Sequence, residues 1–278
     1  MPHVDIDAGR LYYEQHGQGD PLLCVQGLAL DVSGWRAQIP AWSAQHQLTI
    51  FDNRDTGRSF YATEPYDMRA LAADALALAD RLGLERFHLL GYSMGGGIAQ
   101  EMVLAQPERV RSLTLVASYA GNGRWGRTRN HLAVKASAHQ SDTQLALELM
   151  WLTLSEQTFE QMGSEIEAMA RIVLSYPHRQ RREGYERQLL ADAGHETRDR
   201  LGALTMPVHV IAAERDMFVP IWKAHELAEL IPGARLSVVA GAAHAVGLER
   251  TAEYNALVLG FLREASAAES TGSRTGAR

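Results

Sequence analysis

Gly91-Tyr92-Ser93-Met94-Gly95 lies between an apolar run ending at Leu90 and a helix-like stretch that begins at Gly96. A serine at a sharp strand-to-helix junction is held in a strained backbone conformation. Small residues are needed two before and two after it, where a larger side chain would strike the neighbouring backbone. Gly91 and Gly95 meet that need. The serine hydroxyl then stands at the carboxyl end of a sheet, and the Met94 amide opens a helix and faces any negative charge that develops beside it. The chemistry such a group can do is nucleophilic attack on an acyl carbon.

Ordinary glycine-rich turns share this five-residue spacing, so the serine needs partners. An acid and then a histidine are required, each just past a strand. Residues 207–214 form a β-branched apolar run that ends in Arg215-Asp216, and residues 234–240 lead into Gly241-Ala242-Ala243-His244. Taken alone, Asp216 reads as a turn or helix-cap residue and His244 as a solvated loop residue. Taken together in this order, Ser93, His244 and Asp216 are the candidate nucleophile, general base and orienting acid. The other histidines, including His131, His139 and His195, lack such company.

The elements that must position these three alternate. A hairpin is expected over residues 3–7 and 10–16, a strand over 21–26, an amphipathic stretch over 35–45 and a strand over 47–52. A helix over 68–82, the elbow strand over 86–92, its helix over 96–105 and a strand over 110–117 follow. The pattern resumes with strands at 207–214 and 234–240 and a helix at 253–264. Such succession implies an α/β fold: a mostly parallel eight-stranded sheet, right-handed crossovers and helices on both faces. Between the two blocks, Leu145, Leu149 and Leu152, then Met162, Ile166, Met169, Ile172 and Val173, recur at helical steps. Residues 119–202 are therefore expected to form a helical cap over the carboxyl edge of the sheet, with residues 1–118 and 203–264 as the core. Trp125 and Trp151 of the cap are candidate substrate contacts, although aromatic residues also serve helix packing. Residues 265–278 are small and polar and read as a frayed tail.

With 278 residues and 46% hydrophobic content, a sizeable core is available. A net charge of -6 gives no electrostatic basis for binding nucleic acid or anionic lipid, and Arg179-Gln180-Arg181-Arg182 reads as a solvated cluster. Cys24, the single cysteine, precludes an intrachain disulfide and reads as a small buried apolar residue. No signal-peptide pattern and no membrane-length apolar run occurs, so the expected location is the cytoplasm. Metal-binding motifs are missing, and Gly95-Gly96-Gly97 lacks the Lys-Ser/Thr of a phosphate-binding loop and the strand-and-acid context of a dinucleotide site. No cofactor is expected, and the expected partner is a small molecule.

These features resemble the α/β-hydrolase family, and within it the lidded serine esterases and 3-oxoadipate enol-lactonases, over residues 10–262. Gln26-Gly27-Leu28 follows the third strand, and Asp52-Asn53-Arg54-Asp55-Thr56-Gly57-Arg58-Ser59 the fourth. Arg215-Asp216 follows the seventh strand, and His244 with Glu249 the eighth. The resemblance implies an oxyanion hole made by the amides of Leu28 and Met94. Gln26 stands where many relatives carry His, and Asp55 where Gly is usual. The segment is similar to the Asp-Arg-Asp-Thr-Gly-Arg-Ser form of a polyketide methyl esterase group, with Asn53 in place of its first Asp, and Arg54 and Asp55 are expected to brace the turn. The implied activity is hydrolysis of a small ester or lactone. Carbon–carbon hydrolysis of vinylogous diketones, with Arg124, Arg127 or Arg129 over an acidic substrate end, is the alternative. A non-catalytic receptor on the same fold is a more distant one.

Overall fold

The computed structural model describes residues 2–275. Eight strands form its sheet: β1 (His3–Ile6), β2 (Gly9–His16), β3 (Asp20–Val25), β4 (His46–Phe51), β5 (Phe87–Tyr92), β6 (Val110–Val116), β7 (Val208–Ala213) and β8 (Arg235–Val239). Their spatial order is β1-β2-β4-β3-β5-β6-β7-β8. β2 runs antiparallel to β1 and β4, and the remaining pairings are parallel. This is the α/β-hydrolase fold. It brings the carboxyl ends of β3 to β8, and the loops after them, to one edge.

The helices are α1 (Ile39–Trp42), α2 (Met68–Arg81), α3 (Met94–Ala105), α4 (Gly123–Ser137), α5 (Asp142–Thr153), α6 (Glu156–Met162), α7 (Glu165–Ser175), α8 (Arg182–Ala193), α9 (Trp222–Leu230), α10 (Val246–Glu249) and α11 (Thr251–Thr275). Period-two alternation along the strands feeds two cores, one on each face. Leu23, Leu89 and Leu113 pack with Leu71 and Leu78 of α2, Ile98 of α3 and Leu227 of α9. Leu22, Cys24 and Leu90 pack on the other face with Trp42, Tyr254, Val258 and Phe261. The Cys24 thiol is buried there, and burial pushes its pKa up.

The amphipathic stretch over residues 35–45 is built from short pieces: a 3-10 turn at Val32–Trp35 is followed by the single turn of α1, with Pro40 in its first turn, a position that needs no amide donor. One expectation is corrected: the tail read from residue 265 is wrong as far as the described residues reach, because α11 continues to Thr275. Ala265 is buried, Ser266 Oγ bonds the Asp20 carboxylate and the His88 imidazole, and Glu269 accepts from Arg86 and Arg111. This end of the helix docks through polar groups at the foot of the sheet, which an apolar-periodicity reading does not register. Residues 276–278 of the expected tail lie outside the described residues.

Between β6 and β7 the chain forms α4 to α8, with α4 packed along α8 and α5 against α7. These helices touch the core at the loops after β4, β6, β7 and β8.

Candidate active site

Ser93 links β5 to α3 at φ 56 and ψ -122, a conformation that a non-glycine residue adopts only under constraint. Its neighbours show why the motif has its shape. A Cβ at Gly91 would stand 2.4 Å from the Gly95 carbonyl oxygen, and one at Gly95 would stand 2.2 Å from that of Val25. Both positions must therefore lack a side chain. The Ser93 amide donates to the Val116 carbonyl at 2.8 Å, while its own carbonyl accepts from Gly96 N–H and Ser118 Oγ, each at 2.9 Å. The turn is pinned from both sides of its peptide.

The structure brings the three candidate side chains together. His244 Nε2 lies 3.0 Å from Ser93 Oγ, and His244 Nδ1 lies 2.7 Å from Asp216 Oδ2. The other Asp216 oxygen accepts the amides of Phe218 at 2.9 Å and Val219 at 2.7 Å, so the carboxylate cannot turn away. This arrangement fixes a proton on Nδ1 and leaves Nε2 to accept from the serine hydroxyl. The imidazole is clamped between rings, with Phe218 at 5.0 Å and Tyr92 at 5.9 Å between centroids. The Tyr92 hydroxyl donates to the His244 carbonyl, and burial raises its pKa and keeps it a donor. Ser93 is only 5% exposed and His244 7%. Phe218 and Tyr92 were not singled out in the sequence, although their positions beside Asp216 and Ser93 were visible.

Met94 is the first residue of α3, and Leu28 follows Gly27, which lies against the serine. A Cβ at Gly27 would be 2.9 Å from Ser93 Cβ and 3.5 Å from its Oγ. Among the described residues neither the Leu28 nor the Met94 amide donates a hydrogen bond. Gln26, which departs from the family's His, turns its side-chain oxygen onto the Gly27 amide at 2.9 Å, and Asn53 Nδ2 holds the Gln26 carbonyl at 2.9 Å. Asp52 ties this loop to the next one by accepting from Val32 N–H and Arg58 N–H, each at 2.8 Å. Burial pushes its pKa to about 6 against the pull of those two bonds.

Arg54 and Asp55 brace outward. Arg54 makes a bidentate pair with Asp74 of α2, both bonds at 2.6 Å. Asp55, fully buried and at φ 65, pairs bidentately with Arg187 of α8 at 2.8 and 2.9 Å. Gln180 and Gln188 add bonds to the carbonyls of Asp55 and Arg54. Arg179 and Arg182, read as solvated, both pair with Asp142 at the start of α5.

The two tryptophans are separated. Trp151, 55% exposed, lines an open cavity of about 570 Å³ with Leu154, Ser155, Phe159, Asp216 and Met217. Trp125, 51% exposed, packs against Trp222 at 6.4 Å and lies near the Arg129 guanidinium. Among the described residues no group of three or more His, Cys, Asp or Glu could hold a metal ion, and no helix is long and apolar enough to cross a membrane.

Fold, elbow and loop order define one class, and sequence comparison agrees: residues 20–251 match the alpha/beta hydrolase fold family, to which this chain belongs. The chain is similar to RutD of Azorhizobium caulinodans, a candidate carbamate hydrolase, at 33% identity over 95% of this chain and 99% of that one. An esterase from Thermogutta terrifontis superposes with a TM-score of 0.85 at 25% identity, covering 95% of this chain and 99% of the other. The enol-lactonase of Burkholderia xenovorans shares the fold with a TM-score of 0.84 at 24% identity, covering 94% of this chain and all of that one, 100%.

Proposed function

We propose that this chain is a cofactor-independent serine hydrolase that cleaves small carboxylic esters or lactones through an acyl-enzyme on Ser93. The observation that carries this reading is the unbroken line of hydrogen bonds from Ser93 Oγ through both nitrogens of His244 to Asp216. Ser93 Oγ attacks the carbonyl carbon as its proton passes to His244 Nε2. The negative charge gathers on the former carbonyl oxygen, within reach of the Leu28 and Met94 amides. Collapse expels the alkoxide, which takes the proton from His244. Water, deprotonated by the same nitrogen, then releases the acid and restores the serine. Asp216 orients the imidazole and stabilises the imidazolium. Residues 119–202 act as the cap that excludes bulk water.

The similarity to an esterase of comparable length supports the bond type, and the RutD similarity adds carbamates to the substrates worth testing. A cationic cap residue over the acidic end of the substrate would favour the carbon–carbon alternative. Arg129 is instead committed to the Phe218 carbonyl and to Asn130 Oδ1, while Arg124 and Arg127 are exposed. A panel of p-nitrophenyl esters, lactones, carbamates and coloured dienoates, read against Ser93→Ala, tests the proposal. Ser93→Ala is expected to lose about a thousandfold or more in kcat on its best ester, and all labelling by a fluorophosphonate probe. Turnover that survives the substitution refutes the mechanism, and a preference for carbamates or dienoates refutes the substrate class alone.

A further inference from the structure

We propose that Glu249 is a positioning residue that makes seating of helices α5 to α7 and alignment of the His244 imidazole a single event. The proposal rests on the catalytic reading above and extends it from the three side chains to the cap.

Glu249 closes the short helix that follows His244, and its two carboxylate oxygens take different partners. Oε2 accepts the amide of Ala243, the residue immediately before the imidazole, at 2.7 Å. Oε1 accepts both the amide and the hydroxyl of Ser155, each at 2.7 Å, at the junction of α5 and α6. One rigid planar group thus spans from the histidine loop to the cap. A second link lies beside it, since the Ala245 amide donates to the Thr153 carbonyl at 2.8 Å. Residues on both sides of His244 are therefore tied to one point of the helical segment. At the far end, Tyr176 meets Arg58 at 3.2 Å.

The chemistry of the donors suits a carboxylate and nothing else of its size. N–H and O–H groups converge on its two oxygens, and charge-assisted bonds of this kind are about twice as strong as neutral ones. Burial alone would raise the pKa of Glu249. Hydrogen bonds from Thr158, Ala243 and Ser155 outweigh it and hold the carboxyl below the usual range. Glutamine can present its oxygen to one side only, and its amide hydrogens would face N–H donors on the other. When α5 and α6 lift, Oε1 loses its partners and the Ala245–Thr153 bond breaks, so the loop carrying the imidazole loses its ties to the cap and keeps those to the core, from Ala242 to Arg215, from His244 to Asp216 and to the Tyr92 hydroxyl.

The test compares Glu249→Ala, Glu249→Gln, Ser155→Ala and the Glu249→Ala/Ser155→Ala double variant. The readouts are kcat and KM on p-nitrophenyl acetate, fluorophosphonate labelling rate, thermal midpoint, and the low-field imidazole proton resonance that His244→Gln removes. Glu249→Ala is expected to lower kcat and labelling roughly tenfold, with KM changed less, the size expected for loss of buried charge-assisted bonds. Its imidazole resonance is expected to broaden while the thermal midpoint stays within a few degrees. Glu249→Gln is expected to fall between it and the parent, and the double variant to be no worse than Glu249→Ala alone, because both remove the same link. Additive losses, or an unchanged kcat and resonance with only the midpoint lowered, overturn the proposal and leave Glu249 as a loop cap. Should the parent neither hydrolyse nor label, the catalytic reading falls, and the imidazole resonance still decides whether Glu249 governs His244.

Discussion

Helices α4 and α8 are rooted in the core by buried polar groups, whereas α5 to α7 rest on it through a few contacts at their ends. In the first pair, the Tyr119 hydroxyl donates to the Asp192 carboxyl, Asn122 Nδ2 donates to the Asp192 carbonyl, and Asn130 Nδ2 reaches Asp192 Oδ2 at 2.7 Å. Asn130 and Gln188 are fully buried. In the second group, α5 and α6 contain no buried residue, and α7 buries only Ile166 and Ala170. Elements with few buried contacts open at lower free energy than the fold that carries them. In the proposed reading, one half of the cap is a pillar that sets position, and the other is a strap whose few buried contacts give it freedom to lift.

The largest effect is expected where the two helices of the pillar join. Asn130 Nδ2 bonds Asp192 and the Leu189 carbonyl, and its Oδ1 accepts from Arg129, which also holds the Phe218 carbonyl beside Asp216. Asn130→Ala strands several of these groups in a dry interior, at a cost of about 3 kcal/mol. Urea denaturation is the measure, and a loss well under 1 kcal/mol would mean the pillar is no better anchored than the strap. Arg187→Ala comes next. It leaves the fully buried Asp55 without its cation and is expected to cost about 2 kcal/mol, short of the full penalty because Arg187 is partly exposed. Asp55→Gly in that background is expected to restore stability, since it removes the stranded charge and glycine suits the positive φ. If the double variant is less stable than Arg187→Ala, Asp55 has a role beyond this pair.

What the sequence made legible follows the same division. The elbow could be read because its glycines are demanded by backbone clashes that no other residue avoids. The sheet could be read because its strands alternate toward two cores. Asp216 and His244 followed from chain order, since each loop must begin where a strand ends. The cap's anchoring could not be read. The sequence of α8, Arg-Glu-Gly-Tyr-Glu-Arg-Gln-Leu-Leu-Ala-Asp-Ala, shows no apolar face because the helix is held by Arg187, Gln188 and Asp192. Polar anchors have no period, and their partners, Asp55 and Tyr119, lie far away in the chain. The polar end of α11 was misread for the same reason, since Ser266 and Glu269 find partners on β3, β5 and β6 that only the folded sheet assembles. Conversely, the regular apolar steps in α7 promised a packed face that the strap leaves largely uncovered.

That uncovered face gives the smallest predicted effect and the sharpest contrast. Ile172 is 68% exposed and Val173 48%, although both sit where the three- and four-residue rhythm would place core residues. A β-branched side chain of this size in a packed helix interface loses well over 1 kcal/mol when replaced by serine, because apolar burial and close contacts disappear together. On the strap almost nothing is removed from contact, so Ile172→Ser is expected to change unfolding free energy by no more than about 0.5 kcal/mol. Its kcat on the best ester is expected to match the parent, since α7 reaches the core through Tyr176 rather than through this face. A loss comparable to that of Arg187→Ala would show that α7 is packed in solution against something that covers Ile172. The strap would then be a second pillar, and the freedom assigned to it would be lost.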